Sequence, residues 1–527
     1  MPTSHGETST MLGDILLHAL RDAPDSDAVI SADRCWSFQD LATRASQIGL
    51  AATAACPPGG TVAIVGENHP DWVAAYYGVP DTGRILCFLN HRLSVGELLA
   101  QIDRSRASLV IGSSVELERL RAGLDARASI RRITFDDELD DDRLGETTEP
   151  DRSVPGDARC SDDPAWLLFT SGTTGAPKGA LLSHRAILAS LNASQVARPI
   201  ENDEVLAFPF PLCHVAGYNV PRLHQRRRPV VIIERFTPQA LVELSETNTV
   251  TSVSLAATML SDLLNYLDEN PQAVERLRTL RQIAYGASPM PADLLRRAHL
   301  MFVVDLTQGY GMTELSGNAV FLDAARHRQG FDADPSLLRC AGVPGPGVEI
   351  RIVDVDDADV PPGDVGEIIA RGPQVMTGYL DDDQGTADAL RGGWLHTGDL
   401  GRIRPDGILE VVDRLKDVIV TGGENVSSLE TEEAIRAVCP EIASVAVIGI
   451  PDPRWGENVC AVVTWKPGSA TSLEEIARRL TGSLAGYKIP RHLVVTESLP
   501  LTHSGKVAKA QLRSWLSAEP TLAGPRR

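Results

Sequence analysis

One stretch of this 527-residue chain carries chemistry on its face. Trp166–Phe169 is an apolar run that leads into Thr170-Ser171-Gly172-Thr173-Thr174-Gly175-Ala176-Pro177-Lys178-Gly179. The glycines let the backbone approach a ligand closely and adopt positive φ. Hydroxyls and free backbone N–H groups can donate to phosphate oxygens, and Lys178 adds a compact positive charge. A polar surface loop would explain these residues singly, but not their concentration after a buried strand. The spacing is not the G-x-x-x-x-G-K-S/T pattern, so kinase-like and P-loop readings lose ground. The stretch predicts a phosphate-binding loop, with ATP as its ligand.

The elements that must hold such a loop are legible in outline. Thr61–Val65, Ser108–Ile111 and Val230–Ile233 read as buried parallel strands. Val95–Ile102 and Ala292–His299 read as helices between them, giving the alternation of an α/β domain. Asp136–Asp163 reads as a solvated connection. Near Asp413 the elements become shorter and more mixed. Ser472–Leu484 reads as an amphipathic helix with Ser472 as cap and Glu475 completing a capping box. The expected fold is therefore α/β: a large N-terminal domain over 1–412, a hinge at 413–416, and a small α+β lid over 417–527, with 519–527 a disordered tail.

Composition bounds the partners. Acidic residues number 70 against 50 basic ones, a formal charge of −20. Such a surface repels nucleic acid and anionic membrane, and an anionic substrate must be drawn in by a local positive site. No basic leader precedes an apolar core near Met1, and no apolar run is long enough to span a bilayer. The 8 cysteines are scattered without a C-x-x-C pair, which argues against a zinc site or a disulfide scaffold. The expectation is a cytoplasmic monomer or homodimer with reduced thiols.

Leu167–His184 (LLFTSGTTGAPKGALLSH) resembles the signature of the adenylate-forming superfamily, which comprises acyl-CoA synthetases, adenylation domains of peptide synthetases and luciferases. The resemblance continues in order through Tyr285–Pro291, Gln308–Glu314, Gly393–Gly407, Asp413–Glu433 and Leu501–Lys509. It implies ATP-dependent adenylation of an acid with loss of pyrophosphate, in which positioning and charge neutralisation do most of the catalysis. By resemblance, Thr313 contacts the α-phosphate and Glu314 holds Mg²⁺, with Thr174 as a further ligand. These two residues follow Gly309-Tyr310-Gly311-Met312, read as a turn in which Tyr310 faces adenine and the glycines leave room for the base. Gly286, Ala287, Ser288 and Gln308 belong to the implied adenine-edge segments. Asp399 is implied to take the ribose hydroxyls, and Arg414 the ribose or phosphate. Lys506 is implied to swing in and drive the first half-reaction. Lys416 aligns with the hinge, and Gly422, Gly423 and Glu424 with a second face used for thioester formation.

The acid pocket is implied to begin at His214 and Gly217. The residues that follow are polar and basic: Tyr218-Asn219-Val220-Pro221-Arg222-Leu223-His224-Gln225-Arg226-Arg227-Arg228. A buried charge is costly unless paired, so Arg222 and His224 either face solvent from a shortened helix or meet an anion. With Ser316 as a further wall, a functional pocket here would be small and suited to a polar or dianionic acid. The superfamily also includes natural-product enzymes that adenylate nitrite and pass it to an aryl amine. Three readings therefore stand: an acid–CoA ligase forming AMP, an adenylating ligase whose acceptor is an amine or a carrier-protein arm, and a non-catalytic nucleotide-binding relative.

Overall fold

The computed structural model describes residues 9–137, 160–170, 177–286, 290–502 and 506–518. The chain divides into two compact units, the first formed by Met1–Ile350 with Ala370–Leu395, the second by Arg351–Ile369 with His396–Arg527.

The first unit is built on two sheets. One has seven strands, ordered Gly378–Tyr379, Lys178–Ser183, Pro164–Thr170, Ile85–Leu89, Thr61–Val65, Ala107–Gly112 and Arg131–Thr134. Its central pairings are parallel, as the unbroken apolar runs predict, because both faces are covered and every residue of Thr61–Val65 is buried. Helices such as Val95–Ser105 cross between the strands; Ser94 caps that helix, and Glu97 returns the hydrogen bond. The other sheet has nine strands, with Ser252–Leu255, Gln282–Gly286 and Asp305–Met312 running parallel side by side and Gly317–Leu322 returning antiparallel. Ala207, Val231, Val253, Leu263, Ile283 and Leu295 belong to the core beside it. His69, Asp71 and Asp136 lie close enough to suggest a metal group. Their charge is answered internally: Arg44 grips Asp71 with two bonds of 2.7 and 2.8 Å, and Arg34 pairs with Asp136.

The second unit holds most of a four-stranded sheet ordered Glu349–Val353, Gly366–Arg371, Leu395–Ile403 and Leu409–Arg414. It also contains a five-stranded sheet in which Ile442–Asp452 and Gly456–Trp465 form a long hairpin. This unit takes in residues on both sides of the expected hinge at 413–416. The strand Leu409–Arg414 pairs with Leu395–Ile403, and the Asp413 carboxylate takes the backbone N–H and hydroxyl of Ser428 at the head of helix Ser428–Val438. The predicted helix over 472–484 is shorter, Leu473–Leu480. Ser472 does cap it, but Glu475 turns outward to Arg478 and Arg479 instead of closing the box. Gly422 and Gly423, at φ +62° and +86°, form the two-residue turn between Ile419–Thr421 and Glu424–Val426, a conformation that side chains disfavour. The eight cysteines are all free thiols.

Two histidines are locked in the interior of the first unit. His224 meets the Tyr77 hydroxyl at 2.7 Å and the Ala28 carbonyl at 3.0 Å. His327 meets the Tyr285 hydroxyl at 2.7 Å and the Asp323 carbonyl at 2.8 Å. Burial pushes each from 6.5 down to about 4, so both are neutral in the folded chain at pH 7. The unfolded chain takes up these protons first as pH falls, so stability is full above pH 6.5 and is lost toward pH 4. Each histidine contributes a loss on the order of 3 kcal/mol. Thermal melts in buffers stepped from pH 7.5 to 4.5 should therefore show Tm falling below pH 6.5; a flat profile would contradict the neutral assignment.

Candidate active site

Antiparallel pairing of Pro164–Thr170 with Lys178–Ser183 makes the predicted phosphate loop a hairpin connection, with Thr170 opposite Lys178 and its hydroxyl on the Lys178 carbonyl at 3.3 Å. Ser171, Gly172, Thr173, Thr174 and Gly175 lie outside the described residues, as do Ala287 and Ser288. Lys178 stands over the Tyr379 ring, 4.8 Å from its centroid, and 3.6 Å from the Asp382 carboxylate. That carboxylate is held below its ordinary range by the Gly385 backbone N–H and by the lysine. The Tyr379 hydroxyl donates to Glu314 Oε1 at 2.9 Å, and Glu314 is buried. Burial, with the Glu314 charge beside it, pushes the Tyr379 hydroxyl well up, so it remains a donor. A cation, a phenol and a carboxylate thus converge at one place.

Tyr379 and Asp382 were not among the residues singled out from the sequence. A lone Gly-Tyr between chemical motifs carries no period or spacing that marks it. The segment that bears them is sewn in from both sides. Tyr379 lies opposite Ala180, and the Leu380 N–H bonds the Gly179 carbonyl. The Met376 N–H bonds the Glu314 carbonyl, and Gln374 Nε2 bonds the carbonyls of Leu315 and Asn318.

Gln308, Gly309, Tyr310, Gly311 and Met312 are strand, not turn; the turn is the 3₁₀ segment Thr313–Leu315 that follows. The glycines answer to the neighbouring strands. A Cβ on Gly309 would meet the Asn318 amide at 2.0 Å, one on Gly311 the Gly317 carbonyl at 2.0 Å, and one on Gly286 the Gly309 carbonyl at 2.6 Å. Close backbone packing therefore requires them, whatever they leave open for a base.

His214 precedes the short helical turn Val215–Tyr218, and the next helix, Asn219–His224, has only 6 residues. The helix is short, as one reading expected, yet its basic residues are not on the surface: Arg222 and His224 are both 0% exposed. His224 meets a phenol and a carbonyl instead of an anion. Gly217 is pressed against the Tyr76 hydroxyl. Tyr218 accepts from Asn318 and Ser194, each at 3.0 Å, and its ring abuts Gly317. Beside that glycine are two buried hydroxyls with no hydrogen-bond partner among the described residues, Ser190 and Ser316, the latter in left-handed backbone at φ +54°. Arg198 and Glu204, unremarked in the sequence, join this cluster through Asn219 and Arg222.

In the second unit Asp399 and Arg414 stand opposite each other on paired strands, and their side chains form an ion pair at 3.1 Å. Asp399 is nearly buried, and its N–H bonds the Thr397 hydroxyl at 3.1 Å. Lys416 lies on the surface in the 3₁₀ turn Leu415–Asp417. Lys506 is bonded to Thr502: the Thr502 N–H bonds its carbonyl at 2.6 Å and its N–H bonds the Thr502 hydroxyl at 3.1 Å.

The family model for AMP-binding enzymes matches residues 16–380, and the model for their C-terminal domain matches 430–506. A feruloyl-CoA synthase from Amycolatopsis sp is 34% identical over 506 residues, covering 95% of this chain and 98% of that protein. The structure of the amide bond synthetase McbA from Marinactinospora thermotolerans superposes with a TM-score of 0.82 at 28% identity, covering 96% and 99% of the two chains. That of ATP-bound MatB from Rhodopseudomonas palustris gives 0.84 at 26% identity, covering 96% and 99%.

The Tyr379–Glu314 bond is open to a direct test. Replacing Tyr379→Phe removes a donor to a charged group, a contribution of about 1.5–3 kcal/mol. Acid-dependent pyrophosphate release should fall roughly 10- to 100-fold, with the circular dichroism spectrum unchanged. Full activity in that variant would show that Glu314 does not depend on the phenol.

Proposed function

Since this chain belongs to the AMP-binding enzyme family and is an AMP-forming ligase, we propose that it adenylates a small polar acid and transfers the acyl group to CoA. The observation that carries the reading is the convergence of Lys178, Tyr379 and Glu314 at the end of the phosphate hairpin. ATP is the family's nucleotide, and the reaction must neutralise dense negative charge as carboxylate and α-phosphate meet. Lys178 supplies one fixed positive charge beside the phosphates. Glu314 fits Mg²⁺: it is a hard oxygen donor, one of its oxygens is already oriented by Tyr379, and this ion commonly takes one or two carboxylates with phosphates and water. When bound, Mg²⁺ would offset phosphate charge. Thr313 would donate to the α-phosphate, Tyr310 would stack on adenine, and Asp399 with Arg414 would hold the ribose. His214, Gly217, Tyr218, Asn219 and Ser316 would shape the acid pocket. Lys506 would stabilise the transition state of adenylation, and movement about 413–416, at Lys416, would exchange that lysine for the surface bearing Gly422, Gly423 and Glu424.

CoA as acceptor is supported by the feruloyl-CoA synthase relative, and an amine acceptor by the amide bond synthetase likeness. An adenylating ligase that passes its acid, a carboxylate or nitrite, to an amine is the second reading. Pyrophosphate release should be measured with a panel of carboxylic acids and with nitrite, adding CoA or aryl amines in turn. Thioester formation with CoA is the expected result; product only with an amine would replace CoA by that acceptor. Lys506→Ala should slow pyrophosphate release by roughly 10²–10³-fold. Unchanged release would remove Lys506 from the mechanism.

A further inference from the structure

The end of helix His184–Ala197 and the short helix Asn219–His224 bring two guanidinium groups into the interior of the first unit. Arg222 is 0% exposed and Arg198 6%. Arg222 Nη1 donates to the Arg198 carbonyl at 2.8 Å. Arg198 Nη2 donates to Asn219 Oδ1 at 2.9 Å, and its Nη1 reaches Ser254 Oγ at 3.5 Å. Among the described residues one carboxylate faces them. Glu204 Oε1 lies 3.7 Å from Arg222 Nη2, beyond hydrogen-bond range, and already accepts from the Ser252 hydroxyl at 2.8 Å. Burial, reinforced by Arg198, pushes Arg222 down to about 9, which leaves it charged at neutral pH.

Two buried cations against one carboxylate leave a positive charge uncompensated among the described residues. A structural ion network would satisfy its members, because a buried unpaired charge is strongly destabilising. Here Arg222 Nε and Nη2 are buried without a hydrogen-bond partner among the described residues. These are the adjacent donors on one edge of the guanidinium, the edge that takes a carboxylate in two parallel bonds. The cluster is joined to the catalytic turn: Arg198 bonds Asn219, which follows Tyr218, whose ring abuts Gly317, just beyond Glu314 and Ser316.

We infer that Arg222 and Arg198 form an anion subsite that binds the far, non-reacting carboxylate of a dicarboxylic acid. The inference rests on the adenylating reading above, in which the other carboxylate is the one activated near Lys178 and Glu314. The far carboxylate is the fitting occupant because Tyr218 and Asn219 intervene between the guanidinium edge and the catalytic turn. An anion held by Arg222 is therefore not the one meeting the phosphate.

The test is calorimetric binding of succinate, glutarate, butyrate and nitrite to the full-length protein, wild type and Arg222→Met, with pyrophosphate release measured in parallel. The wild type should bind a dicarboxylate at least tenfold more tightly than butyrate. Arg222→Met should lose that preference while keeping its affinity for ATP. Should Arg222→Met fail to fold, Arg222→Lys keeps the charge but loses the two-donor edge, and should weaken the dicarboxylate alone. Equal binding of mono- and dicarboxylates, a preference that survives both substitutions, or binding of nitrite alone would overturn the subsite. Arg222-dependent dicarboxylate binding without pyrophosphate release would instead sink the adenylating reading and leave the subsite standing.

Discussion

The hydrogen bond from Tyr379 to Glu314 is the point on which the first unit's chemistry turns. Lys178 opens a strand of the seven-stranded sheet, Glu314 sits in the turn between two strands of the nine-stranded sheet, and the two lie far apart in sequence. A short segment, Gln374–Asp382, joins them. On one side it adds an edge strand to Lys178–Ser183; on the other, Gln374 and Met376 bond the backbone of the Thr313–Leu315 turn. Tyr379 projects from this staple with its ring under the lysine and its hydroxyl on the carboxylate. A cation and an anion are thereby held near each other without neutralising each other directly. Preorganisation of this kind lets a site meet developing charge with little rearrangement.

The second electrostatic feature runs against the composition. The protein carries a net charge of −20, yet the interior beside Tyr218 holds an excess of positive charge. An acidic surface disfavours the approach of small anions, so selection of an anion must be local and strong. Buried arginines provide that, because the interior screens them poorly. The basic residues that follow behave otherwise. Arg227 pairs with Asp22 and Arg226 is exposed, so the basic run divides between interior and surface.

The second unit is organised around a comparable economy of polar contacts. Asp413 caps helix Ser428–Val438, and Lys509 reaches the Ser428 hydroxyl and the Glu432 carboxylate at 2.6 and 2.7 Å. Glu432 also accepts the Val447 N–H, and Arg513 pairs with Asp417. The C-terminal helix Lys509–Ala518, which begins just after Lys506, is thus tied to helix Ser428–Val438 and to Asp417, the neighbour of Lys416.

By itself the sequence determined the kind of chemistry and the class of fold. Apolar runs such as Thr61–Val65 and the capped helix Val95–Ser105 declare themselves through local period and propensity, because those signals act over a few neighbouring residues. The phosphate loop and the motifs after it are local for the same reason. Tertiary structure alone decided what met what. Whether Arg222 lay outside or inside could not be read from its neighbours, since burial is set by helices and strands distant in sequence. The glycines of Gly309–Gly311 suggested room for a base, but Asn318 and Gly317 fill the space beside them. Tyr379, Asp382, Arg198 and Glu204 carried no pattern of their own, because their significance comes entirely from partners brought to them by the fold.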